Sequence, residues 1–142
     1  MTDPTGKHAI DGLFAETPEG PRLLGSRCAT CATPYFPRSA LCHNPECAGS
    51  RMEDAALGAS GKLWSVAIQN YPPPPPARYD EPYQPYALGL IDTADGLRVL
   101  AQIATDDPQS LTVGCDVKLV LAPLYREKDG SSIITWKYQP VA

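Results

Sequence analysis

Four cysteines fall within twenty consecutive residues and form two close pairs. Two residues separate Cys28 from Cys31, and four separate Cys42 from Cys47. A short loop of this kind lets two thiolates converge on one ion, and a second loop completes the tetrahedron that structural zinc prefers. Ligand spacings of about two to four residues are usual for such sites. The spacing therefore predicts one structural zinc ion bound by all four thiolates.

Three other uses of these residues fit the sequence less well. A disulfide framework requires a secreted chain, but residues 1–6 have neither the basic start nor the apolar stretch of a signal peptide. A thioredoxin-like redox pair requires a helix after Cys31, which Pro34 and Pro37 disfavour. His43 could replace a cysteine as a ligand, although its position beside Cys42 favours a loop residue.

Composition and charge narrow the class of protein. The chain has 142 residues, a net charge of -4, 16 prolines and 11 glycines. The acidic balance argues against a nucleic-acid partner, because phosphate binding needs a basic surface. Apolar runs are shorter than the roughly 20 residues of a membrane helix, and thiols used as ligands suit a reducing compartment. We expect a soluble, cytoplasmic protein built of short strands and turns.

Alternation of apolar and polar residues predicts five strands in the second part of the chain. They cover residues 61–71, 86–92, 97–103, 117–121 and 134–138. In the first of them, alternation places Trp64, Val66 and Ile68 on one face. Residues 105–110 form a polar break with room for a single helical turn. Closure into a small OB-type barrel would leave no exposed sheet edge.

The sequence divides into three predicted parts, and the fold class is mainly β. Residues 1–20 form an arm with a short helix around 10–15, whose Leu13 and Phe14 dock on the domain or on a partner. Residues 21–55 form a rubredoxin-like zinc ribbon, in which metal replaces a hydrophobic core. Residues 56–142 form the five-stranded OB-fold barrel.

Catalytic residues are not recognisable in this sequence. His8 lies near the amino terminus and His43 beside a predicted zinc ligand, so neither is well placed as a general base. Cys115, the fifth cysteine, is expected to be a small buried hydrophobe rather than a reactive thiol. Four cysteines would close the zinc coordination sphere, which disfavours a metalloenzyme. An OB-fold nucleic-acid-binding module is an alternative, which predicts basic and aromatic residues on the barrel face.

The order of these motifs resembles a known family from about residue 10 to Pro140. The motifs are the two cysteine pairs, Phe-Pro-Arg at 36–38, Gly-Lys-Leu-Trp-Ser-Val at 61–66, and Val-Gly at 113–114. The chain is similar to the zinc-ribbon/OB-fold acyl-CoA-associated family, long known as a domain of unknown function. Two features depart from the pattern of many members, which have glycine in place of Ala32 and a two-residue spacing in the second cysteine pair.

This resemblance implies an accessory subunit without catalytic residues of its own. Relatives accompany archaeal acetoacetyl-CoA thiolase with hydroxymethylglutaryl-CoA synthase, benzoylsuccinyl-CoA-type thiolases, and thiolase-like aldolases that shorten steroid side chains. The implied assembly is a hetero-oligomer with a thiolase-fold enzyme, in which acyl-CoA lies near the shared interface.

A long proline-rich loop is the predicted contact with such a partner. Residues 71–86 contain five consecutive prolines and four tyrosines, which combine a preformed rod with large contact area. Loops of this length are usually functional or disordered, and a disordered spacer is the alternative. The predicted partner or CoA-substrate contacts are Arg38, Trp64, Tyr71, Arg78, Tyr79 and Tyr83. For Arg38, a solvated side chain is the alternative.

Overall fold

The computed structural model describes residues 6–49 and 51–141, which form two β-sheets. Residues 1–5 of the predicted arm, Ser50 and Ala142 lie outside the described residues. The strands are β1 (Lys7–His8), β2 (Phe14–Thr17), β3 (Gly20–Cys28), β4 (Pro34–Tyr35), β5 (Met52–Leu57), β6 (Ser60–Gln69), β7 (Tyr86–Thr93), β8 (Arg98–Ile103), β9 (Asp116–Arg126) and β10 (Ser132–Pro140). The only helix among the described residues is a 3-10 turn at Pro108–Ser110, within the predicted polar break.

The smaller sheet, called the ribbon sheet here, consists of β2 to β5. Strand β3 is its centre and pairs antiparallel with β2, β4 and β5. The predicted helix around residues 10–15 is wrong, because Phe14 starts strand β2 and pairs with Leu23. Gly12 has a φ of 83°, which breaks a helix, and burial of Phe14 in the core favours the extended pairing. The arm therefore docks on the domain itself.

Five of the six strands of the larger sheet close into a barrel, as predicted, and the short β1 pairs in parallel with β10. Strand β6 pairs with β7 and β9, β7 pairs with β8, and β10 closes the barrel against β9 and, in parallel, β8. This closed five-stranded arrangement has the architecture of an OB-fold. In β8 the inward positions Val99, Ala101 and Ile103 are all buried, as their alternation predicted.

Trp64 does not share a face with Val66 and Ile68, which corrects the predicted pattern. Leu63 pairs with Ile91 of β7, and Ser65 pairs with the adjacent residue, Leu90. Trp64 therefore has no partner on β7 and is the extra residue of a β-bulge. A bulge shifts the period-two alternation by one residue. Consequently Leu63 enters the core, while Trp64 is 50% exposed.

A single hydrophobic core joins the ribbon sheet to the barrel. Phe14, Leu23 and Leu57 of the ribbon sheet belong to the same buried cluster as the inward side chains of the barrel. At the junction, the buried Tyr138 hydroxyl donates a hydrogen bond of 2.7 Å to the carbonyl of Gly58. Burial raises the pKa of Tyr138, so this hydroxyl remains a donor. The two sheets therefore pack as one body at this junction.

Candidate metal centre and the proline-rich loop

The four predicted cysteine ligands converge at the end of the ribbon sheet. Their Sγ atoms all lie within 4.8 Å of one another. The Sγ–Sγ distance is 3.7 Å between Cys28 and Cys47 and 3.6 Å between Cys31 and Cys42. A tetrahedral zinc ion with bonds of about 2.3 Å to sulfur needs Sγ–Sγ distances of about 3.8 Å. The donor set and its dimensions therefore fit one zinc ion, with no coordination position left open.

Backbone amides orient the thiolates. The amide of Thr30 donates to Cys28 Sγ at 3.4 Å, and that of Gly49 donates to Cys47 Sγ at 3.3 Å. The Thr33 hydroxyl lies 3.0 Å from Cys31 Sγ, and this hydrogen bond, with a backbone one, lowers the pKa of Cys31 to about 6. At Cys47 the Gly49 amide lowers the pKa, but burial and the neighbouring cysteine side chains outweigh it and raise the pKa overall. Donors aimed at sulfur favour the thiolate, which is the form that binds metal.

The first cysteine loop contains a strained residue at Ala32. Its φ is 66°, and it is the only residue other than glycine with a positive φ among those described. The amide of Ala32 donates to the carbonyl of Cys28 at 2.9 Å, which closes the loop. A side chain in this left-handed conformation costs about 1–2 kcal/mol. The strain lies at the position where the resemblance expects glycine.

Tyr35 and His43 brace the second cysteine pair. The hydroxyl of Tyr35 accepts a 2.7 Å hydrogen bond from the amide of His43 and lies 3.4 Å from Cys42 Sγ. The His43 ring packs edge-on against Tyr35, and its Nε2 lies 3.1 Å from Ser39 Oγ. The Ser39 hydroxyl itself donates to the Leu41 carbonyl at 2.6 Å. His43 thus lies outside the ligand cluster. The Ser39 hydroxyl donates its proton to the Leu41 carbonyl and not to the His43 ring.

The proline-rich loop between β6 and β7 folds back on the hairpin formed by β9 and β10. Arg78 donates two hydrogen bonds of 3.0 and 2.9 Å to Glu127, and its guanidinium lies 4.8 Å from the ring centroid of Tyr125. Asp80 accepts a 2.7 Å hydrogen bond from the amide of Arg126. The Tyr83 hydroxyl donates to the Gln69 carbonyl at 2.6 Å. These contacts are those of an ordered loop rather than of a spacer without tertiary contacts.

The predicted contact residues occupy different parts of the surface. Tyr79 packs edge-on against Tyr83, and Tyr71 is 84% exposed in the same loop. Arg38 instead lies on the ribbon, where it pairs with Asp54 at 3.1 Å and donates to the Gly12 carbonyl at 3.0 Å. The predicted contact residues of the proline-rich loop thus lie in one region of the surface, and Arg38 lies in another, on the ribbon.

Trp64 lines a groove on the barrel wall that the sequence did not predict. The groove has a volume of about 610 Å³, and exposed Val113 and Val141 also line it. The Arg98 guanidinium lies 4.0 Å from the centroid of the Trp64 ring. Cys115, predicted to be a buried structural thiol, is only partly buried and packs against the core beside this groove. The only sequence signal for this surface is Trp64, and the bulge that exposes it is not visible in the pattern.

A four-cysteine ribbon packed on a closed five-stranded barrel defines a zinc-ribbon/OB-fold protein. Residues 20–53 match the family described as "ChsH2, rubredoxin-like zinc ribbon domain", and residues 54–122 match "ChsH2, C-terminal OB-fold domain". The chain belongs to this zinc-ribbon/OB-fold family. The resemblance and the expected zinc ribbon are therefore confirmed.

Three similar proteins share most of their length with this chain. A "DUF35 domain-containing scaffold protein" of Methanothermobacter thermautotrophicus is 29% identical over 87% of this chain and 90% of its own length. "Benzoylsuccinyl-CoA thiolase subunit BbsA" of Thauera aromatica is 30% identical over 85% of this chain and 78% of its own. The solved structure of an "Ltp2-ChsH2(DUF35) aldolase" shares the fold, with a TM-score of 0.64 at 21% identity over 85% of this chain and 86% of that one. Among the described residues, no helix is long and apolar enough to cross a membrane.

Proposed function

We propose that this chain is an accessory subunit, without catalytic residues, of a thiolase-fold enzyme that cleaves or forms carbon–carbon bonds in acyl-CoA thioesters. The observation that carries the proposal is the 30% identity to a thiolase subunit over 85% of the chain. The aldolase structure with the same fold supports the same general role. From the family resemblance, a thiolase-like aldolase acting on steroid side-chain CoA esters is the alternative partner.

The chemistry of the described residues supports a role other than catalysis. The four thiolates saturate the zinc ion, so no position remains to bind water or substrate. His8 stacks on Phe14 with ring centroids 4.2 Å apart, and the Ser39–His43 pair has no carboxylate that orients the imidazole among the described residues. A hydrolase-type nucleophile needs such an orienting group. The partner therefore supplies the nucleophile and base.

The outer face of β7 and β8 disfavours the nucleic-acid alternative. OB-folds bind oligonucleotides with this face and the adjoining loops, using cations and stacking aromatic rings. Here Leu90 lies opposite Leu100, and Leu100 is 54% exposed. The one arginine of this face, Arg98, pairs with Asp92 at 2.7 and 3.2 Å and lowers the pKa of that carboxyl. Around Leu90, Leu100 and Arg98 this face is thus apolar with paired charges, which suits a protein partner better.

Co-purification is the direct experiment for this proposal. A tagged chain expressed in its native host should capture a thiolase-fold enzyme, and the complex should turn over acetoacetyl-CoA or a longer 3-oxoacyl-CoA. The chain alone should show no turnover with the same esters. Turnover by the isolated chain that Cys115→Ser abolishes would show that Cys115 is a catalytic thiol and would overturn the proposal.

The loop of residues 71–86 is proposed as part of the partner interface, near the entrance for the CoA substrate. Its ordered prolines lose little entropy on docking, and its tyrosines offer large contact area with a polar tip. Replacing Pro72–Pro76 with Gly-Ser should weaken the complex at least tenfold, about 1.4 kcal/mol. Tyr71→Ser should weaken it in the same direction, because that side chain is 84% exposed and available to a partner.

Zinc content and the melting temperature of the free chain are the controls for both variants, and both should be unchanged. If affinity and complex turnover survive the deletion, the loop is only a spacer. The interface would then lie on the ribbon or on the barrel wall, where Arg38 and Trp64 are the proposed contacts.

A further inference from the structure

A cavity lies between the proline-rich loop and the barrel, away from the zinc site. Its volume is about 320 Å³, near the lower limit of about 300 Å³ for small-molecule pockets. Apolar side chains, including Pro73, Pro82 and Leu124, form part of its wall. Tyr79 and Tyr86 line it from the loop side, and both pack edge-on against Tyr83.

Lys137 extends from β10 into the wall of this cavity without a counter-ion. It lies beside Gln102 in the parallel pairing of β10 with β8. Among the described residues no carboxylate lies within 4.0 Å of its amine, although the side chain is partly buried. Burial without a charge partner lowers the pKa of Lys137. A lysine held in this way gains free energy when an anion binds beside it.

The other charged groups of the cavity wall already have partners. Arg78 is neutralised by its two hydrogen bonds to Glu127. Asp80 directs one carboxylate oxygen to the amide of Arg126 at 2.7 Å. Among the described residues, Lys137 is therefore the only cation of the wall without a carboxylate partner. Asp80, whose partner is a neutral amide, balances its charge, so the wall is neutral overall.

Four further polar groups of the wall have no hydrogen-bond partner among the described residues. They are the side-chain amides of Gln84 and Gln102 and the hydroxyls of Tyr79 and Tyr86, whereas the Tyr83 hydroxyl donates to the Gln69 carbonyl. An ammonium, two amides and two hydroxyls around one small space offer several donors to a single acceptor group. Ligand pockets usually have this composition, a small number of polar groups in a mainly apolar wall.

We propose that this cavity binds a small organic acid, a carboxylate attached to a flat apolar body. Lys137 pairs with the carboxylate, Gln102 and the tyrosine hydroxyls donate hydrogen bonds to it, and the proline, leucine and tyrosine side chains cover the apolar body. The volume of about 320 Å³ suits an aromatic acid and is too small for a nucleotide. This site belongs to the chain alone and does not depend on the proposed partner.

Titration of the zinc-loaded full chain with benzoate, followed by amide NMR, tests the proposal. Saturable shifts should appear at residues 79–86, 102 and 137. Benzamide, which has the same shape without the charge, should bind at least tenfold more weakly, about 1.4 kcal/mol. Acetate stands for a partner's carboxylate side chain and inorganic phosphate for an anion without an apolar body, and both should also bind more weakly than benzoate.

Two variants separate recognition by Lys137 from general charge. Lys137→Gln should weaken benzoate at least tenfold, whereas Lys118→Gln, an exposed lysine of β9 outside this cavity, should leave its affinity unchanged. Tyr86→Phe removes one hydroxyl only and should weaken benzoate several-fold, which keeps the test valid if Lys137→Gln does not fold. Melting temperature and zinc content report folding in each case.

Four results would overturn the proposal. They are no saturation by benzoate at millimolar concentrations, equal affinity for benzamide, unchanged affinity in both cavity variants, and acetate or phosphate binding as tightly as benzoate. In the last case the site recognises a bare anion, as from a partner's carboxylate side chain or a free phosphate, and not the apolar body of an aromatic acid.

Discussion

The cysteine-bearing loops and the barrel are stabilised in different ways. Between residues 29 and 49 none of the described residues is buried, and apart from Phe36, which packs against Trp136, the segment is held mainly by four converging thiols. In β8 every second side chain is buried, and the barrel closes its own hydrogen bonding. A short segment without a core needs a metal, whereas about 80 residues of alternating strands can bury a core. The comparison shows where the loss of metal should matter most.

The strands of the ribbon sheet, unlike its cysteine-bearing loops, are stabilised by a hydrophobic core. Phe14, Leu23 and Leu57 extend from β2, β3 and β5 into the core of the barrel. Only the distal end of the ribbon therefore depends on zinc alone, and its proximal end depends on packing. Four substitutions test this division, in decreasing order of expected effect.

Replacing a zinc ligand should have the largest effect. Structural zinc contributes about 10–16 kcal/mol to the folding of small zinc-binding peptides. Cys28→Ser should lose the metal and the hydrogen-exchange protection of residues 28–35, while amides near Leu23 and those of β7 and β8 retain most of theirs. Elemental analysis and exchange measured by mass spectrometry are the readouts. Cys115→Ser, which changes a cysteine outside the cluster, should keep a full equivalent of zinc.

The opposite outcome is equally informative about the comparison. Equal loss of protection in the ribbon and barrel of Cys28→Ser would mean that zinc stabilises the whole chain through the shared core. Less than about half an equivalent of metal in the unmodified protein would refute the zinc site.

Leu23→Ala removes a fully buried side chain of the ribbon sheet and should destabilise the barrel. Large-to-small changes of this kind cost about 2–5 kcal/mol. Because Leu23 packs in the common core, the urea midpoint of the whole chain should fall while zinc stays bound. Leu41→Ala is the control, since Leu41 is 61% exposed on the zinc loop and its truncation should change neither quantity. A melting transition confined to the ribbon would contradict a shared core.

Tyr138→Phe tests the hydrogen bond at the junction. Loss of the hydroxyl leaves the Gly58 carbonyl without its buried donor, which costs about 1–3 kcal/mol. The expected result is a lower urea midpoint with zinc content unchanged. Tyr71→Phe removes the same hydroxyl from an exposed side chain and should have no effect. An equal midpoint for both variants would mean that water replaces the Tyr138 hydroxyl.

Local sequence patterns predicted what local geometry determines. Two cysteines in one short loop must lie close together, so the spacing of Cys28 and Cys31 was enough to predict half of the metal site. Alternation in β8 likewise reflects a period that every strand shares. Trp64 was misplaced because a bulge inserts one residue without changing the composition of the strand.

Long-range contacts account for the remaining errors and omissions. The local sequence around Phe14 predicts a helical turn. These residues form a strand because Phe14 pairs with Leu23 and is buried in the shared core. Nothing near Lys137 in the sequence indicates that Gln102 lies beside it or that the loop after β6 covers both. Such neighbours are set by barrel closure, which a pattern of single strands does not contain.

The smallest expected effect concerns the strain in the first zinc loop. Ala32 has a φ of 66°, where a side chain costs about 1–2 kcal/mol and glycine almost nothing. Glycine also gains entropy in the unfolded chain, which offsets about 0.5–1 kcal/mol of that relief. Ala32→Gly should therefore stabilise the ribbon by about 0.5–1 kcal/mol and slow the transfer of zinc to a competing chelator.

Ala29→Gly is the matched control, because Ala29 lies in the same loop, is exposed, and does not have a positive φ. It makes the same change to the unfolded chain without relieving strain, so it should leave the ribbon unchanged or slightly less stable. The difference between the two variants isolates the strain at Ala32 from the entropy of glycine. If both variants release zinc at the same rate, the left-handed conformation carries no cost, and the thiolate–zinc bonds dominate the stability of the loop.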